Sequence, residues 1–199
     1  MFKLMIVTDR TRCALPLAET VRLALEGGAD AVQLRERDLS GKELYDLAVE
    51  LRKITRAAGA ALVVNHRVDV ALAVEADAVH MGWRSLAVGE VRELAGRKLK
   101  IGVSCHSIEQ LRRAEMTGAT YALVGPIFPT PSKEGLVQPV GLESLAQWTR
   151  ASRLPVVGIG GITTGNFRQV LEAGACGVAA ITAFMSAADP AAAARALRA

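Results

Sequence analysis

Gly27-Gly28-Ala29-Asp30-Ala31-Val32 decides the fold, because variants of it return along the chain: Glu75-Ala76-Asp77-Ala78-Val79, Thr117-Gly118-Ala119-Thr120-Tyr121-Ala122 and Ala173-Gly174-Ala175-Cys176-Gly177-Val178. Each phrase joins the end of an amphipathic stretch to a short apolar run. The Gly supplies the left-handed turn that stops a helix, and the small residues after it let a strand start in a crowded place. Working outward, strands are predicted near 2–7, 30–34, 61–65, 77–81, 99–104, 120–125, 155–159 and 176–181. Helices are predicted near 16–26, 40–58, 68–75, 87–95, 107–117, 141–151, 164–173 and 189–198. The strand runs are rich in Val, Ile, Leu and Ala and do not alternate, as expected of parallel strands buried on both faces. Strand followed by helix, eight times, is the pattern of a single (β/α)8 TIM barrel, here one domain spanning 1–199. An open doubly wound sheet is the alternative, and eight evenly spaced units suit closure better.

The composition fits. Of 199 residues 51% are hydrophobic and only 4% aromatic, an aliphatic mixture that packs α/β layers. No apolar run is long enough to span a bilayer. Phe2 to Thr8 is followed at once by Asp9, Arg10 and Arg12, which makes a poor signal peptide and a good first strand. The cysteines Cys13, Cys105 and Cys176 are odd in number and far apart, so neither a disulfide framework nor a zinc site is indicated, and a cytoplasmic location is expected. The net charge of +4 is spread singly along helices, without the clustered footprint that nucleic acid requires.

Barrel enzymes take their chemistry from strand C-termini and the loops that follow. Those positions hold Thr8 and Asp9, then Gln33-Leu34-Arg35-Glu36-Arg37, Asn65-His66-Arg67, His80, and Ser104-Cys105-His106. All three histidines of the chain fall on this face. Gln33, Arg35 and Arg37 have period-two spacing and point to one side of an extended chain. An amide and two cations there suit a phosphate or carboxylate. The alternative is a strand end salt-bridged through Glu36 and Asp38. Gly158-Ile159-Gly160-Gly161-Ile162 after strand seven and Ala180-Ile181-Thr182-Ala183 after strand eight occupy the usual phosphate position of barrels, which selects Gly160, Gly161, Ile181 and Thr182. Gly125 to Val140 is the one long irregular stretch and reads as a lid carrying Thr130, Ser132 and Lys133.

Ile6-Val7-Thr8-Asp9, Val32-Gln33-Leu34-Arg35-Glu36-Arg37, Asn65-His66-Arg67-Val68-Asp69, Ala78-Val79-His80-Met81-Gly82, Gly102-Val103-Ser104-Cys105-His106-Ser107, Gly125-Pro126-Ile127-Phe128-Pro129-Thr130 and Gly158-Ile159-Gly160-Gly161-Ile162 occur in this order. Together they resemble, over essentially the whole chain, the superfamily of thiamin phosphate synthase and the TenI-type thiazole tautomerase. The resemblance implies a small phosphorylated heterocycle as substrate, no nucleic acid and no membrane, with a homodimer allowed. The synthase joins a pyrimidine diphosphate to a thiazole phosphate and uses Mg2+. One family metal ligand is an Asp directly after the Asn that here is Asn65, and this chain has His66 there. A second lies in a Gly-Gln-x-Asp pattern that here reads Gly82-Trp83-Arg84-Ser85. Magnesium wants hard oxygen ligands, so both replacements argue against metal-assisted pyrophosphate displacement.

The expectation is therefore the tautomerase branch, an isomerase that aromatises a carboxythiazole phosphate by moving a proton with no cofactor and no metal. Gln33, Arg35, Arg37, Asn65, His80, Ser104, Thr130, Ser132 and Lys133 are expected to bind the substrate. Described tautomerases carry a His where this chain has Pro126, the form seen in synthases. The proton is therefore assigned to His106 and His66, with Cys105 a further candidate. Two other readings stand beside it: a thiamin phosphate synthase with a rebuilt metal site, using Mg2+, and a non-catalytic regulatory barrel that only binds thiazole phosphate.

Overall fold

In the computed structural model, which describes residues 1–82, 84–130 and 138–198, strands and helices alternate throughout. The strands are β1 (Leu4–Val7), β2 (Ala31–Leu34), β3 (Ala61–Asn65), β4 (Ala78–Met81), β5 (Lys100–Cys105), β6 (Tyr121–Val124), β7 (Val156–Ile159) and β8 (Gly177–Ala180). The helices are α1 (Leu17–Glu26), α2 (Gly41–Ala57), α3 (Val68–Ala73), α4 (Val88–Ala95), α5 (Ile108–Met116), α6 (Gly141–Ala151), α7 (Phe167–Glu172), α8 (Thr182–Met185) and α9 (Pro190–Leu197). All strand pairs are parallel and follow chain order, and β1 pairs with both β2 and β8. The sheet is therefore a closed barrel, and the open doubly wound alternative is excluded. No helix of the described residues is long and apolar enough to cross a membrane.

The recurring phrase has a physical purpose. The residue just before each even-numbered strand ties that strand to its odd-numbered predecessor at the base of the barrel. Asp30 N–H donates to the Leu4 carbonyl (3.1 Å), while the Asp30 carboxylate accepts from the N–H groups of Lys3 and Leu4 (2.8 and 3.0 Å). Asp77 repeats this on Leu62, whose carbonyl and N–H it meets at 2.9 and 2.8 Å. Thr120 does the same on Ile101, at 2.7 Å and, through its hydroxyl, 3.0 Å. Cys176 keeps the backbone half of the motif, donating to the Val156 carbonyl at 2.8 Å.

Side chains alternate between two cores. One set faces the helices. The other fills the lumen and includes Phe2, Met5, Val7, Ala31, Val63, Ala78, Tyr121, Leu123, Val157 and Ala179. Tyr121 occupies the centre because its neighbour across the β5–β6 register is Gly102: a Cβ there would come within 2.1 Å of Tyr121 Cζ and 2.4 Å of its hydroxyl oxygen. Phe2 closes the base edge-on to that ring, at 5.3 Å between centroids. The lumen is thus packed tight below, and the polar residues of the same alternation, Gln33, Asn65, His80 and Ser104, come next above it.

Two short elements lie outside the predicted helices, the 3-10 turn Arg10–Arg12 and α8. The stretch Ala180-Ile181-Thr182-Ala183 divides into the end of β8 and the four-residue α8, with Phe184 and Met185 of that helix fully buried.

Candidate active site

The second strand's end rises out of the barrel in alternation. Gln33 is buried in the lumen, with Nε2 4.0 Å from Met5 Sδ; Arg35 is half-buried and Arg37 exposed. Thr8 fixes this rise. Its N–H donates to the Gln33 carbonyl (3.0 Å) and its hydroxyl accepts from Arg35 N–H (2.9 Å). Burial, and next the Arg37 charge, lower the pKa of Arg35, while Asp9 opposes them. Glu36 turns the other way: its carboxylate accepts from Arg10 N–H at 3.1 Å, and the Arg10 guanidinium is bidentate to Asp38 at 2.7 Å. Asp9 in turn accepts from Thr11 (2.6 Å) and Arg12 (3.0 Å). Partial burial disfavours the Asp9 carboxylate, yet those two bonds outweigh it and hold its pKa below the usual range.

Beside the arginines stands His66, in the left-handed region at φ 63°. Its N–H donates to the His80 carbonyl (2.9 Å), and its Nδ1 is hydrogen-bonded to Ser85 Oγ, which also accepts from Gly82 N–H (2.8 Å). The loop after β3 is thereby clasped to the loop after β4. Burial first, then Arg37 and Arg35, push the His66 pKa down, so its imidazole is neutral near pH 7. His80 lies lower and is wholly buried, with Nε2 2.9 Å from Ser104 Oγ and its ring 5.9 Å from that of Tyr121. Burial takes its pKa down to about 3. His80 Nδ1 and the Tyr121 hydroxyl are buried without a hydrogen-bond partner among the described residues.

His106 is held elsewhere. Its Nδ1 is bonded to the Gly125 carbonyl and its N–H donates to Gln110 Oε1 at 2.7 Å. The Cys105 thiol is buried and pushed up to about 12 by that burial, so it holds its proton at neutral pH.

The glycine loop after β7 packs on the loop after β6. Gly160 and Gly161 have φ of 100° and 67°, and a Cβ on Gly161 would come within 2.7 Å of Phe128 Cβ and 2.8 Å of the Pro129 carbonyl. Asn166, unremarked in the sequence, clasps this loop: its Nδ2 donates to the Gly161 carbonyl while its Oδ1 accepts from Thr163 N–H, both at 2.8 Å. In a trans peptide the next N–H, that of Ile162, points opposite to the Gly161 carbonyl. Ile181 and Thr182 stand at the start of α8. Thr130 ends the described part of the β6 loop, whereas Ser132 and Lys133 lie outside the described residues.

A magnesium ion needs several hard oxygens, carboxylates above all. Among the described residues no three His, Cys, Asp or Glu side chains gather to hold a metal. Where the family places its two acidic ligands, this chain presents the His66–Ser85 hydrogen bond, and the carboxylates of Asp9, Glu36 and Asp38 are engaged by Arg12 and Arg10. These residues do not fit the ion.

Comparison with known proteins decides the family. The thiamine monophosphate synthase family model matches residues 4–184. The chain belongs to the thiamine monophosphate synthase family. A thiamine-phosphate synthase of Moorella thermoacetica is 47% identical over 193 residues, covering 97% of this chain and 92% of that protein. One of Roseiflexus castenholzii is also 47% identical, covering 96% and 85%. The solved thiamine phosphate pyrophosphorylase of Pyrococcus furiosus is 40% identical, with a TM-score of 0.91 over 98% of this chain and 93% of that one.

These relatives overturn the tautomerase and isomerase expectation: proteins similar over nearly their whole length carry the synthase name. Loss of metal ligands says what the mouth does not bind; it does not supply a different reaction. Pro126, buried and without an ionisable group, was the better guide within this family. The proton-shuttle roles given to His66 and His106 fall with that reaction.

Proposed function

We propose that this chain is a transferase that joins a pyrimidine diphosphate to a thiazole phosphate and releases pyrophosphate. One observation carries the reading: 47% identity to a thiamine-phosphate synthase along 92% of that protein's length. A barrel mouth that carries two arginines after β2 and the glycine loop after β7 supports it.

The roles follow from the chemistry of the residues. Arg35 and Arg37 receive the diphosphate, since guanidinium groups meet phosphoryl oxygens two bonds at a time. Backbone N–H groups at Gly160, Gly161, Ile181 and Thr182 take the thiazole phosphate, and the missing side chains of the two glycines let a phosphoryl group approach. Gln33, Asn65, His80 and Ser104 form the polar floor under the reacting carbon. His80 is neutral, and through Nε2 it orients the Ser104 hydroxyl. Thr130, Ser132 and Lys133 belong to the loop that covers the substrates. Catalysis is then placement of two rings and stabilisation of a departing anion. His66 and His106 are positioning residues, holding the β3–β4 loops and the Gly125 carbonyl.

The test is direct. Purified protein given the pyrimidine diphosphate and the thiazole phosphate is expected to form thiamine phosphate and pyrophosphate in equal amounts. If neither product appears, with or without added Mg2+, the reading is wrong.

A further inference from the structure

The mouth has the wrong donors for a divalent ion and the right ones for an anion. Arg35, half-buried, and Arg37, exposed, follow Gln33 at alternate positions of the second strand's end, and burial together with the Arg37 charge lowers the Arg35 pKa. Like charges on neighbouring positions repel, more so where one of them is half-buried, and an arriving polyanion relieves that repulsion. Arg35 is fixed from below, because Thr8 accepts its N–H at 2.9 Å. Glu36 and Asp38, the acids that could have neutralised the two arginines, are drawn off by Arg10. Beside the arginines, Ser85 Oγ already serves both His66 Nδ1 and Gly82 N–H, so this corner is closed by protein–protein hydrogen bonds.

Resting on the synthase reading, we infer that this barrel receives its leaving pyrophosphate on Arg35 and Arg37 alone, with no divalent metal at the mouth, and that the His66–Ser85 bond closes the corner a metal would need. In the step, a ring atom of the thiazole forms a bond to the pyrimidine carbon that carried the diphosphate. The C–O bond of that carbon breaks, and its electron pair leaves with the pyrophosphate. Nothing is oxidised or reduced, and the new negative charge develops against the two guanidinium groups.

The experiment is a calorimetric titration of the intact protein with inorganic pyrophosphate, once in EDTA and once with millimolar MgCl2. Binding in EDTA is expected, with an affinity that Mg2+ does not improve by more than about threefold, and Arg35→Gln should weaken it at least tenfold. His66→Asp combined with Ser85→Asp restores an acidic pair and is expected to make pyrophosphate binding depend on Mg2+. The wild-type comparison stands alone if that double variant does not fold. Tenfold or greater tightening by Mg2+ in the wild type, or no pyrophosphate binding in either buffer, overturns the inference. Thiamine phosphate formation, assayed in the same two buffers, separates the two ideas. Turnover only with Mg2+ keeps the synthase and removes the metal-free mouth. Pyrophosphate binding in EDTA without any product retains the anion site and removes the synthase.

Discussion

Replacing Asp77 by Ala should loosen the barrel base and leave the mouth alone. Asp77 Oδ2 accepts from Leu62 N–H at 2.8 Å and from Arg52 at 2.7 Å. The Arg52 side chain is only 14% exposed and its Nε is buried without a partner, so Asp77 is its compensating charge. Loss of a hydrogen bond to a charged acceptor costs about 1.5–3 kcal/mol. Asp77 itself is 39% exposed, so the ion pair is screened and adds only about 0.5–1 kcal/mol. The sum is about 2–4 kcal/mol, which in a domain of this size lowers Tm by roughly 5–15 °C. Asp77→Asn keeps an oxygen for Leu62 and should cost about 1 kcal/mol. Urea unfolding followed by circular dichroism gives both values, and amide exchange at Leu62 should accelerate in the Ala variant first. A loss below about 1 kcal/mol in Asp77→Ala, or equal losses in the two variants, would refute the reasoning.

Three further outcomes are expected. The folded pKa of His80, about 3, lies below its ordinary 6.5; the unfolded chain therefore binds the proton first as pH falls. Stability from this group is full above about pH 6.5 and declines below it, so the urea midpoint should drop between pH 6.5 and 4.5, and the slope should flatten in His80→Gln; an unchanged slope contradicts the assignment. Gly161→Ala places a methyl group within 2.7 Å of Phe128 Cβ at a φ of 67°. That should weaken inorganic phosphate binding about tenfold or more, and wild-type affinity would remove the glycine loop from the site. Thr8→Val removes the acceptor of Arg35 N–H, and pyrophosphate affinity should fall roughly fivefold, about 1 kcal/mol; no change would mean Arg35 is placed by other contacts.

The barrel was legible because its signals are redundant. Uninterrupted apolar runs such as Ala61-Leu62-Val63-Val64 mark strands covered on both faces, and the phrases ending in Asp30, Asp77 and Thr120 mark where each begins. The short α8 was not legible: four residues cannot display a 3.6-residue period, and Ile181 continues the apolar run of β8. At the mouth, the alternation Gln33, Arg35, Arg37 could be read from spacing, but Thr8's hold on Arg35 could not, since it joins residues far apart in the chain, and Asn166's on Gly161, five residues away, lies in an irregular loop with no period to mark it. Ser85 shows the limit most clearly. In the sequence it registers only as a missing carboxylate; in the structure it is the partner of His66.

The ties made by Asp30, Asp77 and Thr120 all lie at the end of the barrel remote from the arginines. Folding and chemistry thus draw on separate sets of residues, one at the floor and one at the rim. Mutations at the rim are not charged against the strand pairing that keeps the cylinder shut. A lineage built this way can exchange an acidic pair for a histidine and a serine in successive steps, each intermediate still a folded barrel on which selection can test a new way of handling phosphate.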